Sequence, residues 1–373
     1  MERTVNKVQC YLLILLAILC VPCITACGHV KAMKKVSIET HSETINVEQN
    51  DAIAVGREVK PLYIRCVGDS LTAGMDLPDI NDVVYDGETY PSILYTILCD
   101  NGVDTVVVND GHAGEKTAGI VARLGNTPMV INRDIVFDET GCFDDFDNAI
   151  TGEFSAELSL PISFSYRGKE HNTIIIGKNE YEIKPQLQLD KTWKTLLLDS
   201  PNEPSRVIKA GTPVKLKNDI YSDVNIIFAG NNDTNITIDE FVSMLKNGIS
   251  TGEKYIIIGP YSAIYNRAGF ISGNTEEERR DNYKKRMQAE FGNRFIDLRS
   301  EWYSRALQIS IKERDFAELS EIQINTIQKK LNKKIIPAEY TYNNKDGELH
   351  LNKKGYKVIA EIVFERMKKL GYI

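Results

Sequence analysis

Val67-Gly68-Asp69-Ser70-Leu71-Thr72-Ala73-Gly74 is the stretch on which the reading of the fold turns. The apolar run leading into it, Leu62 to Val67, has the length and composition of a buried strand. Gly-Asp-Ser then forms a sharp turn. In open α/β sheets, ligands bind at the carboxyl ends of the strands. The same three residues also suit an ordinary strand-ending turn, so the stretch gains meaning only from what surrounds it.

Outward from this point the chain alternates strands and helices. Tyr90–Cys99 is an apolar-faced helix opening with Pro91, a favoured first-turn residue. Thr105–Asn109 is a second strand and Thr117–Leu124 a short helix. The alternation returns with strand Val224–Phe228, helix Ile238–Asn247, strand Tyr255–Ile258, helix Glu276–Phe291 and strand Phe295–Leu298. Helices follow at Trp302–Ile309, Phe316–Lys329 and Gly355–Leu370. Such alternation predicts a mostly parallel sheet covered on both faces.

Between the two halves, residues 126–222 read as short strands broken by turns. Ala156–Tyr166 alternates, and Thr173–Gly177 and Tyr181–Pro185 flank Lys178-Asn179-Glu180 as a hairpin. Thr195–Leu198 and Val214–Leu216 are further strands. The expectation is a β-rich subdomain inserted into an α/β domain formed by residues 61–125 and 223–373. Most of its aromatic residues, among them Phe164, Tyr166, Tyr181 and Trp193, are expected in its own core. Any that face the site would help select the substrate.

Three more segments sit at strand ends. Asn109-Asp110-Gly111-His112-Ala113-Gly114-Glu115-Lys116-Thr117 joins the second strand to a helix. Glycine there lets a backbone N–H approach a ligand closely. Ala229-Gly230-Asn231-Asn232-Asp233 follows the third strand, where an Asn amide can donate to a developing oxyanion. Either segment also suits a plain turn or cap. Asp346-Gly347-Glu348-Leu349-His350-Leu351-Asn352 precedes the last helix. A nucleophilic serine needs a base. Of the five histidines, His29 and His41 lie in a polar N-terminal stretch, His171 in the β-rich segment and His112 in the second motif, which leaves His350.

These four blocks, in this order, resemble those of the SGNH/GDSL hydrolases, and the resemblance covers most of the chain from Leu62 to Leu370. It implies a flavodoxin-like three-layer α/β/α fold and metal-free, cofactor-free ester hydrolysis or acyl transfer. Ser70 would be the nucleophile and His350 its base, with Asp346 orienting the ring. The oxyanion would be met by the N–H groups of Ser70 and Gly114 and by the Asn232 amide. One feature departs from the family: the usual Asp-x-x-His is here Asp-x-x-x-His. Either the loop bulges and Asp346 still reaches, or a backbone carbonyl orients the ring; Glu348 is a poorer candidate on spacing.

The N-terminus carries a different signal. Arg3 and Lys7 precede an apolar run from Tyr11 to Ile24, and no charged residue occurs between Lys7 and Lys31. This is a secretory signal pattern, short for a membrane span. Ile24-Thr25-Ala26-Cys27 resembles a bacterial lipobox. Residues 1–26 are therefore expected to be a signal peptide, Cys27 the lipidation site and residues 27–60 a tether. The expected location is the bacterial cell envelope, lipid-anchored and facing the periplasm or exterior.

Composition narrows the classes. A 42% apolar fraction supports a real core and 26% charged residues suit a globular protein. The net charge of −7, with no basic stripe, argues against nucleic-acid binding. Of seven cysteines only Cys66, Cys99 and Cys142 lie beyond the N-terminal stretch. Their spacing suggests no metal site, and Cys66 and Cys99 are expected as buried small hydrophobes. The expected substrate is an O-acyl ester, with acetyl groups on a carbohydrate or envelope polymer as the expected form. An O-acyltransferase, a lysophospholipase or a non-catalytic surface-binding lipoprotein are the alternatives.

Overall fold

The structure, a computed structural model, describes residues 60–74, 87–125, 129–152, 173–187, 193–198, 207–217 and 220–373. The expected signal peptide, Cys27, the expected tether up to residue 59 and the strand expected at Ala156–Tyr166 lie outside the described residues. Residues 58–373 form one compact unit.

Five parallel strands build the central sheet: β1 (Leu62–Gly68), β2 (Thr105–Gly111), β3 (Val224–Phe228), β4 (Lys254–Ile258) and β5 (Phe295–Ile296). Their spatial order is β2-β1-β3-β4-β5, every pair parallel. The helices are α1 (Ser70–Ala73), α2 (Tyr90–Asp100), α3 (Thr117–Ala122), α4 (Ile238–Gly248), α5 (Glu276–Phe291), α6 (Leu298–Lys312), α7 (Glu321–Asn332) and α8 (Lys353–Lys369).

Strand alternation divides the core into two layers. Ile64, Cys66, Ile226, Phe228, Ile256, Ile258 and Ile296 face one side, under α2, α6, α7 and α8. Val67, Ile227, Ala229, Ile257 and Phe295 face the other, under α3, α4 and α5. The near-continuous apolar runs in the strands follow from this double coverage. The α/β expectation, with a parallel sheet between two helical layers, describes the molecule.

In a 2-1-3-4-5 sheet the chain reverses direction across the sheet between β1 and β3, which opens a crevice at their carboxyl ends. Ser70 follows β1 and Asn231-Asn232 follow β3. The topology thus sets these segments side by side, although Tyr63 and Asp223 at the other end of the same pair are 160 residues apart.

Described strands between 129 and 216 form a separate seven-stranded sheet and a two-stranded ribbon. The seven-stranded sheet is antiparallel throughout. Its first strand, Met129–Ile131, pairs with its last, Pro213–Leu216. Tyr181 is buried in this sheet's own core and stacks on Phe137 at 6.2 Å. Phe164 and Tyr166, and the side chain of Trp193, lie outside the described residues.

Four local expectations need correction. The hairpin turn is Gly177-Lys178 rather than Lys178–Glu180, because Ile176 pairs directly with Asn179. The last sheet strand ends at Ile296, since Asp297 accepts the Ser300 N–H and starts α6 there. Helix α7 begins at Glu321 rather than Phe316, fixed by a capping box between Ser320 and Gln323. Cys66 is buried, but Cys99 is exposed on the outer side of α2; the three described cysteines are free thiols.

Candidate active site

Ser70 owes its position to crowding around two glycines. A Cβ on Gly68 would lie 2.2 Å from Thr72 Oγ1 and 2.8 Å from the Phe228 carbonyl oxygen. One on Gly111 would lie 2.1 Å from the backbone nitrogen of Ala73. Only glycine permits β1, β2 and the turn into α1 to close so tightly. Asp69 caps that turn, its Oδ1 accepting the Leu71 N–H at 3.0 Å. Ser70 is then the first residue of α1, where a helix leaves backbone N–H groups without an intrahelical acceptor.

His350 comes from the far end of the chain. Leu351, beside it, is fully buried and bridges Thr341, while the Tyr342 N–H donates to the His350 carbonyl at 3.1 Å. Asn352 caps α8 by accepting the N–H groups of Lys354 and Gly355. This anchored segment turns the imidazole onto the serine: His350 Nε2 and Ser70 Oγ are 3.2 Å apart. The two residues are 280 positions apart in sequence.

The remaining blocks are locked to one another by side chains. Asn231 Nδ2 donates to Asp69 Oδ2 at 2.9 Å, and its Oδ1 accepts the Tyr261 N–H at 2.9 Å. Asn232 Nδ2 donates to the Glu115 carbonyl at 3.0 Å and reaches Asp69 Oδ2 at 3.4 Å. Asp233 accepts both the N–H and the hydroxyl of Thr117. Asn232 therefore sits against the Gly114-Glu115 turn. Gly114 is exposed there, with a φ of +79° that disfavours any side chain. In this state both Asn232 amide hydrogens are directed at protein acceptors. Donation to an oxyanion would take the place of the longer contact to Asp69.

Asp346 is placed elsewhere, and its expected role is corrected. Its Oδ1 accepts from Lys330 Nζ at 2.9 Å and from the Ala338 N–H at 2.8 Å. It makes no hydrogen bond to His350. The extra residue in the Asp-x-x-x-His spacing turns the carboxylate outward to α7. Lys330, and then the Ala338 N–H, hold it below the usual carboxylate range. Glu348 is likewise held below its usual range. Bonds from Asn343 and the Leu349 N–H lower it most, and the imidazole and N–H of His350 add to the effect. Asp346→Asn should accordingly change kcat/KM by no more than about threefold. A loss approaching the about 10⁴-fold seen on removing the tautomer-fixing carboxylate of a catalytic triad would restore Asp346 to the site.

A buried charge network lies beneath these loops. Arg65 holds Asp110 through Nε at 2.8 Å and Nη2 at 2.6 Å. Arg123 reaches Asp110 and Glu115, each at 2.5 Å, and donates to the carbonyls of Asp110 and Gly68. Burial works against the charge on Arg123, but Asp110 and Glu115 outweigh it and raise its pKa. Glu115 is raised, by burial above all, with Arg123 opposing. Only the arginine inside an otherwise apolar strand hinted at this network in the sequence.

Asp69 is fully buried, and burial pushes its carboxyl up to about 7, against the bonds from Asn231 and the Leu71 N–H. Unfolded, the group returns toward 3.8. Between those values the native state keeps a proton that the unfolded state has lost. The stability contributed by Asp69 is thus full below the unfolded pKa. It falls as pH rises to the folded pKa, by on the order of 4 kcal/mol in all. Unfolding by urea between about pH 4.5 and about pH 7.5 should show this decline, and Asp69→Asn should flatten it. An unchanged slope in the variant would assign the decline to other groups.

Among the described residues no group of three or more His, Cys, Asp or Glu side chains is placed to hold a metal ion. The chain matches no family model, no curated protein and no solved structure.

Proposed function

We propose that this chain is a serine ester hydrolase of SGNH/GDSL type. The observation that carries the reading is the 3.2 Å approach of His350 Nε2 to Ser70 Oγ at the crevice between β1 and β3. That separation is within reach of proton transfer between a nucleophile and its base. Ser70 Oγ attacks the ester carbonyl carbon while His350 takes the hydroxyl proton. The oxyanion is met by the N–H groups of Ser70 and Gly114 and by Asn232. Collapse breaks the bond to the alcohol, which leaves with the proton from His350. Water then attacks the acyl-serine, giving its proton to His350, and the acid departs as Ser70 recovers its hydrogen. A sugar hydroxyl in place of that water would make the same site an acyltransferase.

A fluorophosphonate probe tests the reading, because it reacts with an activated serine. Labelling of the wild type that disappears in Ser70→Ala supports it. An unlabelled, folded wild type favours a non-catalytic binding protein.

We also propose, from the N-terminal sequence, that Cys27 is lipidated and tethers the enzyme to the cell envelope. Among the described residues no helix is long and apolar enough to cross a membrane. Mass spectrometry of the mature N-terminus decides this: an acylated residue 27 is expected, and an unmodified mature terminus would refute it.

A further inference from the structure

Toward the edge strand β5 of the central sheet, two cations stand over one aromatic ring. The Arg299 guanidinium lies 5.2 Å from the centre of the Tyr303 ring, and the Lys334 ammonium lies 5.4 Å from the same point. The ring is buried and fixed by stacking on Tyr261 at 5.9 Å. Among the described residues, no carboxylate comes within ion-pair distance of either cation.

Like charges gathered without a counter-ion repel one another. Lys334 registers this: burial, then Arg280, then Arg299 hold its ammonium below the usual lysine range, with Asp297 opposing. Arg280 is occupied by Glu277 and Asp281, and Asp297 caps α6 through the Ser300 N–H. Lys334 also adopts a φ of +59° just after the C-cap of α7. That position usually takes glycine, because other side chains are disfavoured there. Local backbone preference and charge both argue against a lysine here.

Hydrogen bonds link the segments that carry the two cations to the loops of the proposed site. Arg299 follows β5 at the carboxyl edge of the sheet, and its Nη1 donates to the Tyr261 carbonyl at 3.1 Å. The Tyr261 N–H donates in turn to Asn231, the neighbour of Asn232. The segment just after Lys334 is bonded to the one just before His350, through Gly347 N–H to the Ile336 carbonyl at 2.8 Å.

We propose that Arg299 and Lys334 form a subsite for an anionic group, carboxylate or phosphate, on the polymer that bears the acyl ester. An anion between them relieves their repulsion. The arginine fork offers paired donors to its oxygens and the lysine a mobile point charge. On a chain of net charge −7, a local positive site is also what would admit a negatively charged polymer to the crevice. The substrate class thus deepens the ester-hydrolase reading and rests on it, but the subsite can be tested without turnover.

The experiment is calorimetric titration of the folded protein at low ionic strength with three oligomers of equal length. These are an oligogalacturonate, an oligomeric glycerol phosphate and a neutral glucan. At least one anionic oligomer should bind about tenfold or more tighter than the glucan. Preference between the two anions tells carboxylate from phosphate. In Arg299→Gln/Lys334→Gly the advantage should fall to within about twofold, whereas Lys334→Arg should retain it. Thermal melting checks the fold of the double variant, and Arg299→Gln alone serves if that variant fails to fold. Equal binding of all three oligomers by the wild type overturns the subsite, as does undiminished anion preference in a folded variant. Fluorophosphonate labelling of the same samples reports on Ser70 separately. A protein that binds the anion but is not labelled refutes the esterase reading and leaves the subsite standing.

Discussion

Ser70→Ala is expected to lower kcat/KM for p-nitrophenyl acetate by about 10⁴-fold or more, and His350→Ala by a similar factor. The two side chains meet at 3.2 Å, and in the proposed mechanism they act in a single proton transfer, so removing either would disable the same step. The double variant should be hardly worse than either single one, since groups that work as a unit do not contribute additively. Asn232→Ala should cost less, on the order of 10²–10³, because two backbone N–H groups would still meet the oxyanion. Circular dichroism should show the Ser70 and His350 variants folded, as neither side chain caps a helix among the described residues. A Ser70→Ala enzyme within about tenfold of wild type would rule out Ser70 as the nucleophile.

The largest stability effect should come from Arg123→Met. Its guanidinium sits between Asp110 and Glu115 and also donates to two backbone carbonyls. Removing it leaves Glu115 without its arginine and takes one of two arginines from Asp110, both carboxylates lying in the interior. Breaking a buried pair in this way costs about 3–5 kcal/mol, because a desolvated charge is left uncompensated. Urea unfolding at neutral pH measures the change. Arg280→Met provides the contrast. Arg280 is paired with two acidic residues of its own helix at the surface, so its loss should change stability by less than about 1 kcal/mol. Equal effects of the two substitutions would mean that the buried network contributes nothing special. Because Arg123 also holds the Gly68 carbonyl, its removal should loosen the turn that presents Ser70.

Much of the fold can be read in the chain because its signals are local. The apolar runs at 62–68 and 224–228 and the Pro91 helix start depend on neighbouring residues alone. The start of α7 was readable too: Ser320 and Gln323 spell a capping box that outweighs the apolar Phe316. Phe295–Leu298 misleads because its four residues are apolar but for Asp297, and only the cap geometry shows that Leu298 is already helical. Within the candidate site, the serine and the Asn232 segment stood out by residue type at strand ends, and His350 by its place before the last helix. The partner of Asp346 was not. Lys330 lies 16 residues before it, and no spacing rule says that a lysine one helix away will claim the carboxylate. The Arg65–Asp110–Arg123–Glu115 network is hidden for the same reason, its contacts being set by strand pairing across as many as 58 residues.

The pairing of strand Met129–Ile131 with strand Pro213–Leu216 has an evolutionary corollary. The β-rich segment enters and leaves through adjacent strands, so its two ends are about 5 Å apart, one interstrand spacing. A cassette closed at its base can be exchanged, enlarged or lost at the gene level, and a tight turn would suffice to rejoin what remains. It also eases the conformational search. Once the cassette has formed, the excursion between β2 and β3 shortens to little more than its flanking segments. The entropy of closing a loop grows only with the logarithm of its length, so a roughly fourfold shortening gains only about 1.2 kcal/mol in equilibrium stability. The greater benefit is kinetic: the long-range pairing at the centre of the sheet is reached by a shorter path.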